Sequence, residues 1–159
     1  MSLNHDTFFM EMALKQAKIA FDQDEVPVGA VLVRDGEILS SDHNRVEQLI
    51  DPTAHAEILV LRRASQYVNN WRLKDSCLYV TLEPCPMCMG AILLARVSRL
   101  VWAAFDPRMG GSKLSMKWSE SCRWSATLSM RGGVLQDESL QLVQTFFFFQ
   151  RKRKGGSSP

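Results

Sequence analysis

The sequence lacks the cysteine content of a disulfide scaffold and has no long apolar run. Its 159 residues include only four cysteines, too few for a small domain built on disulfides, so we expect reduced thiols. No apolar run reaches the roughly 18 residues that a membrane helix needs. The first residues include His5, Asp6 and Glu11, and they lack the basic and apolar segments of a secretory signal. These absences predict a cytoplasmic protein that is not bound to a membrane.

The sequence also lacks a strong excess of charge of one sign. It has 19 basic and 17 acidic residues and a formal net charge of +2. This balance does not by itself indicate a nucleic-acid partner, so polyanion binding would depend on local patches. Apolar residues make up 46% of the chain, which suits a single core. We expect one domain over residues 1–154, followed by a disordered tail over residues 155–159.

The order of predicted elements indicates an α/β fold. Apolar residues spaced three and four apart predict a helix from Phe8 to Phe21. Asp35-Gly36 predicts a hairpin turn between two strands, and Thr53 is a plausible cap for a helix over residues 54–65. Further strands are predicted over residues 76–81 and 99–104, with helices beginning at Pro84 and over residues 137–153. Residues 110–133 show no clear periodicity of apolar residues, so no element is predicted there. A mixed sheet with helices on its faces follows.

His55, Cys85 and Cys88 have the residue types and the number of ligands of a catalytic zinc site. Such a site uses three protein ligands and leaves the fourth position to water, whose pKa zinc lowers to about 7. Cys85 and Cys88 lie three apart in the first turn of a predicted helix, whose positive end favours thiolates. Glu57 lies two residues after His55, where a carboxylate can carry protons for that water. The pattern predicts zinc-dependent hydrolysis.

The Cys-x-x-Cys pair alone has two other interpretations. It could be a redox pair or half of a structural zinc site. A second Cys-x-x-Cys is missing, and neither Cys77 nor Cys122 has a partner at ligand spacing. The combination with His55-Ala56-Glu57 favours catalytic zinc. We expect Cys77 to pack in the core and Cys122 to be a spare thiol.

The sequence resembles a known group of enzymes. A His-x-Glu followed by Pro-Cys-x-x-Cys is the signature of zinc-dependent nucleobase deaminases, and here the chain is similar to the bacterial tRNA-specific adenosine deaminases. The metal motif indicates only the superfamily, whereas the flanking stretches select the tRNA branch. The matching stretches are Glu25 to Ala30, Asp51 to Glu57, Trp71 to Leu73 and Leu78 to Cys85, and the resemblance resumes at Gly133 to Leu135 and at Phe146-Phe147.

This resemblance implies a fold, an assembly and a reaction. The fold would be the cytidine-deaminase-like three-layer α/β/α arrangement, with a central mixed sheet of about five strands. The protein would be a homodimer with one zinc ion per subunit. Its substrate would be the wobble adenosine of a tRNA anticodon stem-loop, which is hydrolysed to inosine. Glu57 would take a proton from the water and pass it to the ring as C6 is attacked, and ammonia would leave.

The resemblance also implies substrate contacts near the second strand. Asn44 would hydrogen-bond the inserted base, Val28 and Ala56 would line its pocket, and Arg45 would lie near the flanking nucleotides. From the residues alone, Asn44 is a turn residue. A base splayed out of a loop has to be recognised in such a pocket, because pairing hides its reactive carbon.

Two later segments are open to more than one interpretation. By resemblance, Asp106 and Arg108 contact the anticodon-loop backbone, although Asp106-Pro107 alone indicates only a turn. The run Phe146 to Phe149 cannot face one side of a helix, and core or dimer packing is expected for most of it. The basic cluster Arg151 to Lys154 either binds tRNA phosphate or forms a solvated helix end.

One segment departs from the family, and two other functions compete. Between Gly111 and Gly132 the family usually shows a glycine-serine-leucine stretch and an asparagine-histidine pair, which this chain replaces with other residues. This divergence concerns tRNA recognition rather than the chemistry. The first competitor is a deaminase of free guanine, cytosine or cytidine. The second is a zinc protein that binds RNA without catalysis, and Glu57 argues against it.

Overall fold

The computed structural model describes residues 3–121 and 128–156. These residues form six helices and five strands, and the helices cover a single sheet. The elements are α1 (Leu3–Asp22), β1 (Gly29–Arg34), β2 (Glu37–His43), α2 (Val46–Leu49), α3 (Ala56–Tyr67), β3 (Ser76–Leu82), α4 (Pro86–Leu94), β4 (Arg99–Ala104), α5 (Ser112–Ser121), β5 (Ser129–Arg131) and α6 (Gln136–Gly155). None of the helices within the described ranges is long and apolar enough to cross a membrane.

The five strands form a mixed sheet in the order β2-β1-β3-β4-β5. Strand β1 is antiparallel to β2 and to β3, whereas β3, β4 and β5 are parallel. The predicted hairpin is confirmed, since Arg34 pairs with Glu37 across the two-residue turn. Asp35 and Gly36 both have positive φ, at 53° and 78°, as such a turn requires.

Both faces of the sheet are buried, so the fold has three layers. Alternate side chains of β1, β3 and β4 point to opposite faces. Leu32, Leu78 and Leu100 pack with helices α3 and α4 in one core cluster, whereas Val31 and Tyr79 pack with helix α1 in the other. This burial explains why the strands read as nearly continuous apolar runs. The α/β/α arrangement and the five-stranded mixed sheet confirm the predicted fold class.

Helix α1 approaches β1 closely at Gly29. A Cβ atom built on Gly29 would lie 2.1 Å from the Ala13 carbonyl oxygen and 2.5 Å from the Ala17 amide nitrogen. Both of those atoms belong to the backbone and cannot move aside as a flexible side chain could. The position therefore requires glycine so that the helix and the strand can touch, and this contact fixes where β1 begins against α1.

Two predicted helix starts are wrong, for local reasons. Thr53 does not cap α3, because its amide and hydroxyl both donate to the Asp51 carboxylate, at 2.8 and 2.7 Å. The N-cap of α3 is His55. Pro84 does not begin α4, because Pro86 takes the first helical position. A proline keeps the preceding residue extended, so Cys85, with φ −71° and ψ 170°, becomes the N-cap.

Other boundaries differ by five residues or fewer. Strand β4 has the predicted bounds, and α1 begins five residues before the predicted Phe8. Three elements had no predicted counterpart, namely the short helix α2 and, in the segment without a clear apolar periodicity, α5 and β5. Helix α6 continues through Gly155, which had been expected in the tail, because a helix that is already formed adds residues at little cost. Residues 122–127, including Cys122, and residues 157–159 lie outside the described part.

Asp6 ties α1 to the sheet through buried ion pairs. Its carboxylate accepts two hydrogen bonds from Arg99, at 2.6 and 2.7 Å, and one from Arg131 at 2.9 Å. The Tyr79 hydroxyl donates a further bond at 3.0 Å. Burial would raise the pKa of Asp6, but the hydrogen bonds from Arg99 and Tyr79 and the two arginine charges outweigh burial and lower it.

We expect Asp6→Asn to lower the free energy of unfolding by about 2 kcal/mol at pH 7, because it removes a charge that two arginines share. A lowered pKa stabilises the folded state above the unfolded-state pKa, and this contribution is lost as the pH falls through the folded-state pKa. The difference from wild type should therefore shrink in acid. Urea unfolding at several pH values measures it. Asp22→Asn, on the exposed end of α1, is the control, and an equal loss in both variants would contradict the assignment.

Candidate metal centre and substrate cavity

Three side chains from two helix starts converge on one point. His55 is the N-cap of α3, Cys85 is the N-cap of α4, and Cys88 lies in the first turn of α4. The His55 Nδ1 atom is 3.6 Å from the Cys85 Sγ atom and 3.5 Å from the Cys88 Sγ atom. The donor atoms of all three lie within 4.8 Å of one another. The structure therefore brings the predicted ligands together.

The spacing of these donors fits zinc. With Zn–S bonds of about 2.3 Å and Zn–N bonds of about 2.0–2.1 Å, a tetrahedral angle separates nitrogen from sulfur by about 3.6 Å. The observed separations of 3.5 and 3.6 Å agree with that value. One imidazole and two thiols are also the soft donors that zinc prefers. Three protein ligands leave one tetrahedral position for water, as catalytic rather than structural sites do.

The helix starts and the neighbouring groups prepare the thiols for a cation. The hydrogen bond from Cys88, together with His55, lowers the pKa of Cys85 to about 4. The same hydrogen bond, reinforced by burial, raises the pKa of Cys88. The hydrogen bond with Cys85 raises the pKa of His55. Without a metal the group thus holds protons that a bound cation would displace, since ligation needs thiolates and a neutral imidazole.

Glu57 lies in the first turn of α3, beside this group. Glu57 is 4% exposed, and burial raises the pKa of Glu57 to about 7, although a backbone hydrogen bond and the charge on His55 oppose the shift. A carboxyl group whose pKa lies near neutral can both accept and donate a proton at neutral pH. Its placement and its acidity both suit a proton carrier.

A cavity of about 1010 Å³ opens onto the metal group. His55, Glu57 and Cys85 are part of its lining. Of the substrate contacts implied by resemblance, Val28, Asn44 and Asp106 line the same cavity. Asn44 is 8% exposed, and its backbone N–H donates to the Val28 carbonyl oxygen at 3.0 Å. The metal group and Glu57 therefore face the same concave surface as these substrate contacts.

Three other predicted contacts lie elsewhere. Ala56 is fully buried in the core between the sheet and α3. Arg45 turns to Asp42, with an Nε–Oδ1 distance of 2.7 Å. Arg108 is exposed, and its amide donates to Asp106 Oδ1 at 3.0 Å. None of the three lines the cavity formed by the described residues.

Another buried carboxylate, Glu83, also lines the cavity and was not predicted as a site residue. It accepts hydrogen bonds from the Asp106 amide at 3.0 Å and from the Ser112 hydroxyl at 2.5 Å. A Cβ atom on Gly110 would lie 2.3 Å from Glu83 Oε2 and 2.6 Å from the backbone carbonyl oxygen of Asp106, so this close approach requires glycine. A charged residue at the end of an apolar strand, directly before Pro84, is the signal that could have revealed it.

Helix α6 forms one wall of the cavity. Phe147, Arg151 and Lys154 line it, whereas Arg153 pairs with Asp24 at 2.5 Å. The basic cluster is therefore divided, with two of its cations beside the cavity. Of the four phenylalanines, Phe146 alone is buried, and the other three are 37–48% exposed. Packing in the core of this chain therefore explains only Phe146 among the four.

Comparisons with known proteins agree with this geometry. Residues 3–144 match the MafB19-like deaminase family. The chain is 43% identical over 152 residues to the tRNA-specific adenosine deaminase of Bacillus subtilis (strain 168), covering 96% of this chain and 94% of that protein. It is 46% identical over 158 residues to the chloroplastic tRNA(adenine(34)) deaminase of Arabidopsis thaliana, covering 89% of this chain but only 12% of that longer protein. A solved tRNA:A34 deaminase that edits the wobble position superposes with a TM-score of 0.80 at 42% identity, covering 86% of this chain and 99% of the other.

Proposed function

This chain belongs to the MafB19-like deaminase family and to the tRNA-specific adenosine deaminases, and we propose that it hydrolyses the wobble adenosine of a tRNA anticodon loop to inosine. The observation that carries the proposal is the convergence of His55, Cys85 and Cys88 beside a buried Glu57, at a cavity large enough for more than one nucleoside. Similarity over nearly the whole length of a bacterial relative supports the choice of substrate.

The ligand set holds one zinc ion per subunit in this proposal. His55 supplies Nδ1, and Cys85 and Cys88 supply thiolates at the spacing that zinc requires. When bound, zinc supplies an acidic water and stabilises negative charge as it develops. The remaining steps depend on the protein's own side chains.

Glu57 moves the protons of the reaction. It accepts a proton from the attacking water, whose oxygen forms the new bond to C6 of adenine. The carboxyl group donates that proton to N1 of the ring. It then takes the second proton from the new C6 hydroxyl group and donates it to the amino group as the bond between C6 and that group breaks, so that C6 becomes a carbonyl and ammonia leaves. A buried carboxyl with a pKa of about 7 is ready for both transfers.

The cavity suits a base that projects from a loop of RNA. Its volume of about 1010 Å³ lies at the upper end of small-ligand sites, which leaves room for flanking nucleotides. Asn44 offers polar atoms to an inserted base, and Val28 offers an apolar surface. Arg151 and Lys154 provide positive charge for phosphates along one wall. The homodimer and the role of Asp106 at the loop backbone stay predictions from the resemblance.

Substrate discrimination tests the proposal. We expect the zinc-loaded protein to deaminate an anticodon stem-loop with adenosine at the wobble position at least about 10³-fold more efficiently than free adenosine, guanine, cytosine or cytidine. The reason is that a site built around loop contacts rejects compounds that leave its polar groups unpaired. Mass spectrometry of the digested RNA measures inosine. A stem-loop with guanosine at the wobble position is the matched control, and faster turnover of any free base would favour the rival deaminase.

A further inference from the structure

Glu25 is a buried carboxylate that the proposed chemistry does not use. It lies between α1 and β1, is 1% exposed and forms part of the cavity lining. A carboxylate is seldom buried so completely without a partner. Its partners are backbone amides of α2, 22 and 23 residues further along the chain.

The two oxygens of Glu25 cap the start of α2. Oε1 accepts the Gln48 amide at 2.7 Å, and Oε2 accepts the Glu47 amide at 3.2 Å. First-turn amides have no acceptor within their own helix. Arg45 occupies the N-cap position, and its side chain makes no capping bond within the described residues. Glu25 therefore supplies from a distant segment the acceptor that a local N-cap would normally supply.

The end of α1 directs Glu25 towards α2. The Asp24 amide donates to the Phe21 carbonyl at 3.1 Å, and the Glu25 amide donates to the Ala20 carbonyl at 2.9 Å. With Asp24 at φ 62°, these bonds form a Schellman turn. The turn stops α1 and reverses the chain, so the position of Glu25 depends on the body of the fold rather than on the cavity wall.

The segment that Glu25 holds carries the substrate-facing side of the cavity. Asn44, Val46, Glu47 and Gln48 all line it. A helix of four residues has too few internal hydrogen bonds to be stable alone. The backbone N–H of Asn44, at one end of the segment, donates to the Val28 carbonyl oxygen at 3.0 Å. Glu25 fixes the other end, at Glu47 and Gln48.

We propose that Glu25 is a positioning residue that holds the Asn44 to Gln48 wall in place and thereby sets affinity for the RNA loop. This inference rests on the proposed function, which supplies the substrate. The hydrogen bonds of Glu25 from which it is argued are independent of that function. Glu25 touches neither the metal group nor the proton carrier in these hydrogen bonds. Its loss should therefore act on substrate binding more than on the chemical step.

Glu25→Gln tests this role with little change in shape. An amide keeps one acceptor but turns a donor towards the second backbone N–H, so one capping bond is lost. We expect kcat/KM for the stem-loop to fall about tenfold, mainly through KM, with zinc content unchanged. Glu37→Gln, an exposed substitution in β2, is the control and should keep wild-type values. A loss confined to kcat, or a loss of zinc, would overturn the proposal.

Hydrogen exchange gives a readout that is independent of activity. In Glu25→Gln the amide that loses its capping bond, either Glu47 or Gln48, should exchange at least about tenfold faster, whereas the Gly29 amide, bound to Thr81 Oγ1 at 3.1 Å, should not change. Unchanged exchange at Glu47 and Gln48 would refute the capping role, even if activity fell. If wild type left the stem-loop untouched, the proposed function would fail, and the exchange rates would still decide the role of Glu25.

Coupling to Asn44 separates positioning from a general loss of stability. If Glu25 acts through the wall, Glu25→Gln should cost much less in an Asn44→Ala background than in wild type, because neighbouring residues that share one task are not additive. Full additivity of the two losses in kcat/KM would count against the proposal.

Discussion

Glutamine in place of Glu57 is expected to lower kcat by at least about 10³-fold while zinc stays bound. General acid–base groups contribute about 10²–10⁴-fold, and this carboxyl would serve both the attack and the departure of ammonia. Glutamine has the same shape but cannot accept and return a proton. Because Glu57 is buried, an isosteric neutral side chain should also fold without leaving a charge unpaired.

The measurement needs activity and metal content from the same sample. Conversion of the wobble adenosine in a stem-loop gives kcat, and elemental analysis gives zinc per chain. Glu37→Gln, exposed on β2, is the matched control and should keep both values. If zinc departed from Glu57→Gln, the carboxylate would be a ligand rather than a proton carrier, and the assignment would fail.

The metal group could be predicted from the sequence because its information is local. His55 and Glu57 are two residues apart, and Cys85 and Cys88 are three apart, so each pair lies within one turn of chain. The two pairs can be assigned to one site because a catalytic zinc ion needs a third protein ligand beside two thiolates. The structure confirms that the three donors meet. The prediction of the ligands is unaffected by the misplaced helix start at Pro84, because Cys85 and Cys88 still lie within one turn of each other at the start of α4.

The fold was predictable where burial imposes a pattern, and not elsewhere. Strand β4 is buried on both faces, and its bounds are the predicted ones. Strand β5 has three residues at the edge of the sheet, too few to form an apolar run or an alternation. Helix α5 has a mixed composition, and its buried face includes Ser112 and Ser115. Polar residues on a buried face remove the contrast on which the prediction of a helix depends.

The substrate side was less predictable because it depends on contacts between distant residues. Glu25 caps a helix that begins more than 20 residues later, and no spacing rule links them. Arg45 carries the charge expected near a nucleotide, yet Asp42 offers a carboxylate oxygen at 2.7 Å and holds its side chain. Such competition between partners is decided by the folded geometry, so residue type alone does not indicate the outcome.

Loss of a single thiol at Cys88 is expected to remove both the metal and the activity. Cys88 is fully buried at the first turn of α4, and alanine there leaves two donors, which hold zinc far more weakly than three. We expect Cys88→Ala to bind less than about a tenth of an equivalent of zinc after dialysis. Deamination should fall at least as far as in Glu57→Gln, because both the acidic water and the stabilised charge are lost.

Cys77 provides the matched control for this substitution. It is also a buried thiol, 3% exposed, but it lies in β3 on the opposite face of the sheet, among the residues packed under α1. Cys77→Ala should keep zinc and kcat, and it should lower the free energy of unfolding by only about 1 kcal/mol through lost packing. Full zinc in Cys88→Ala would exclude this thiol as a ligand. Equal zinc loss in both variants would trace the effect to general destabilisation, because the two thiols share burial and differ in what they face.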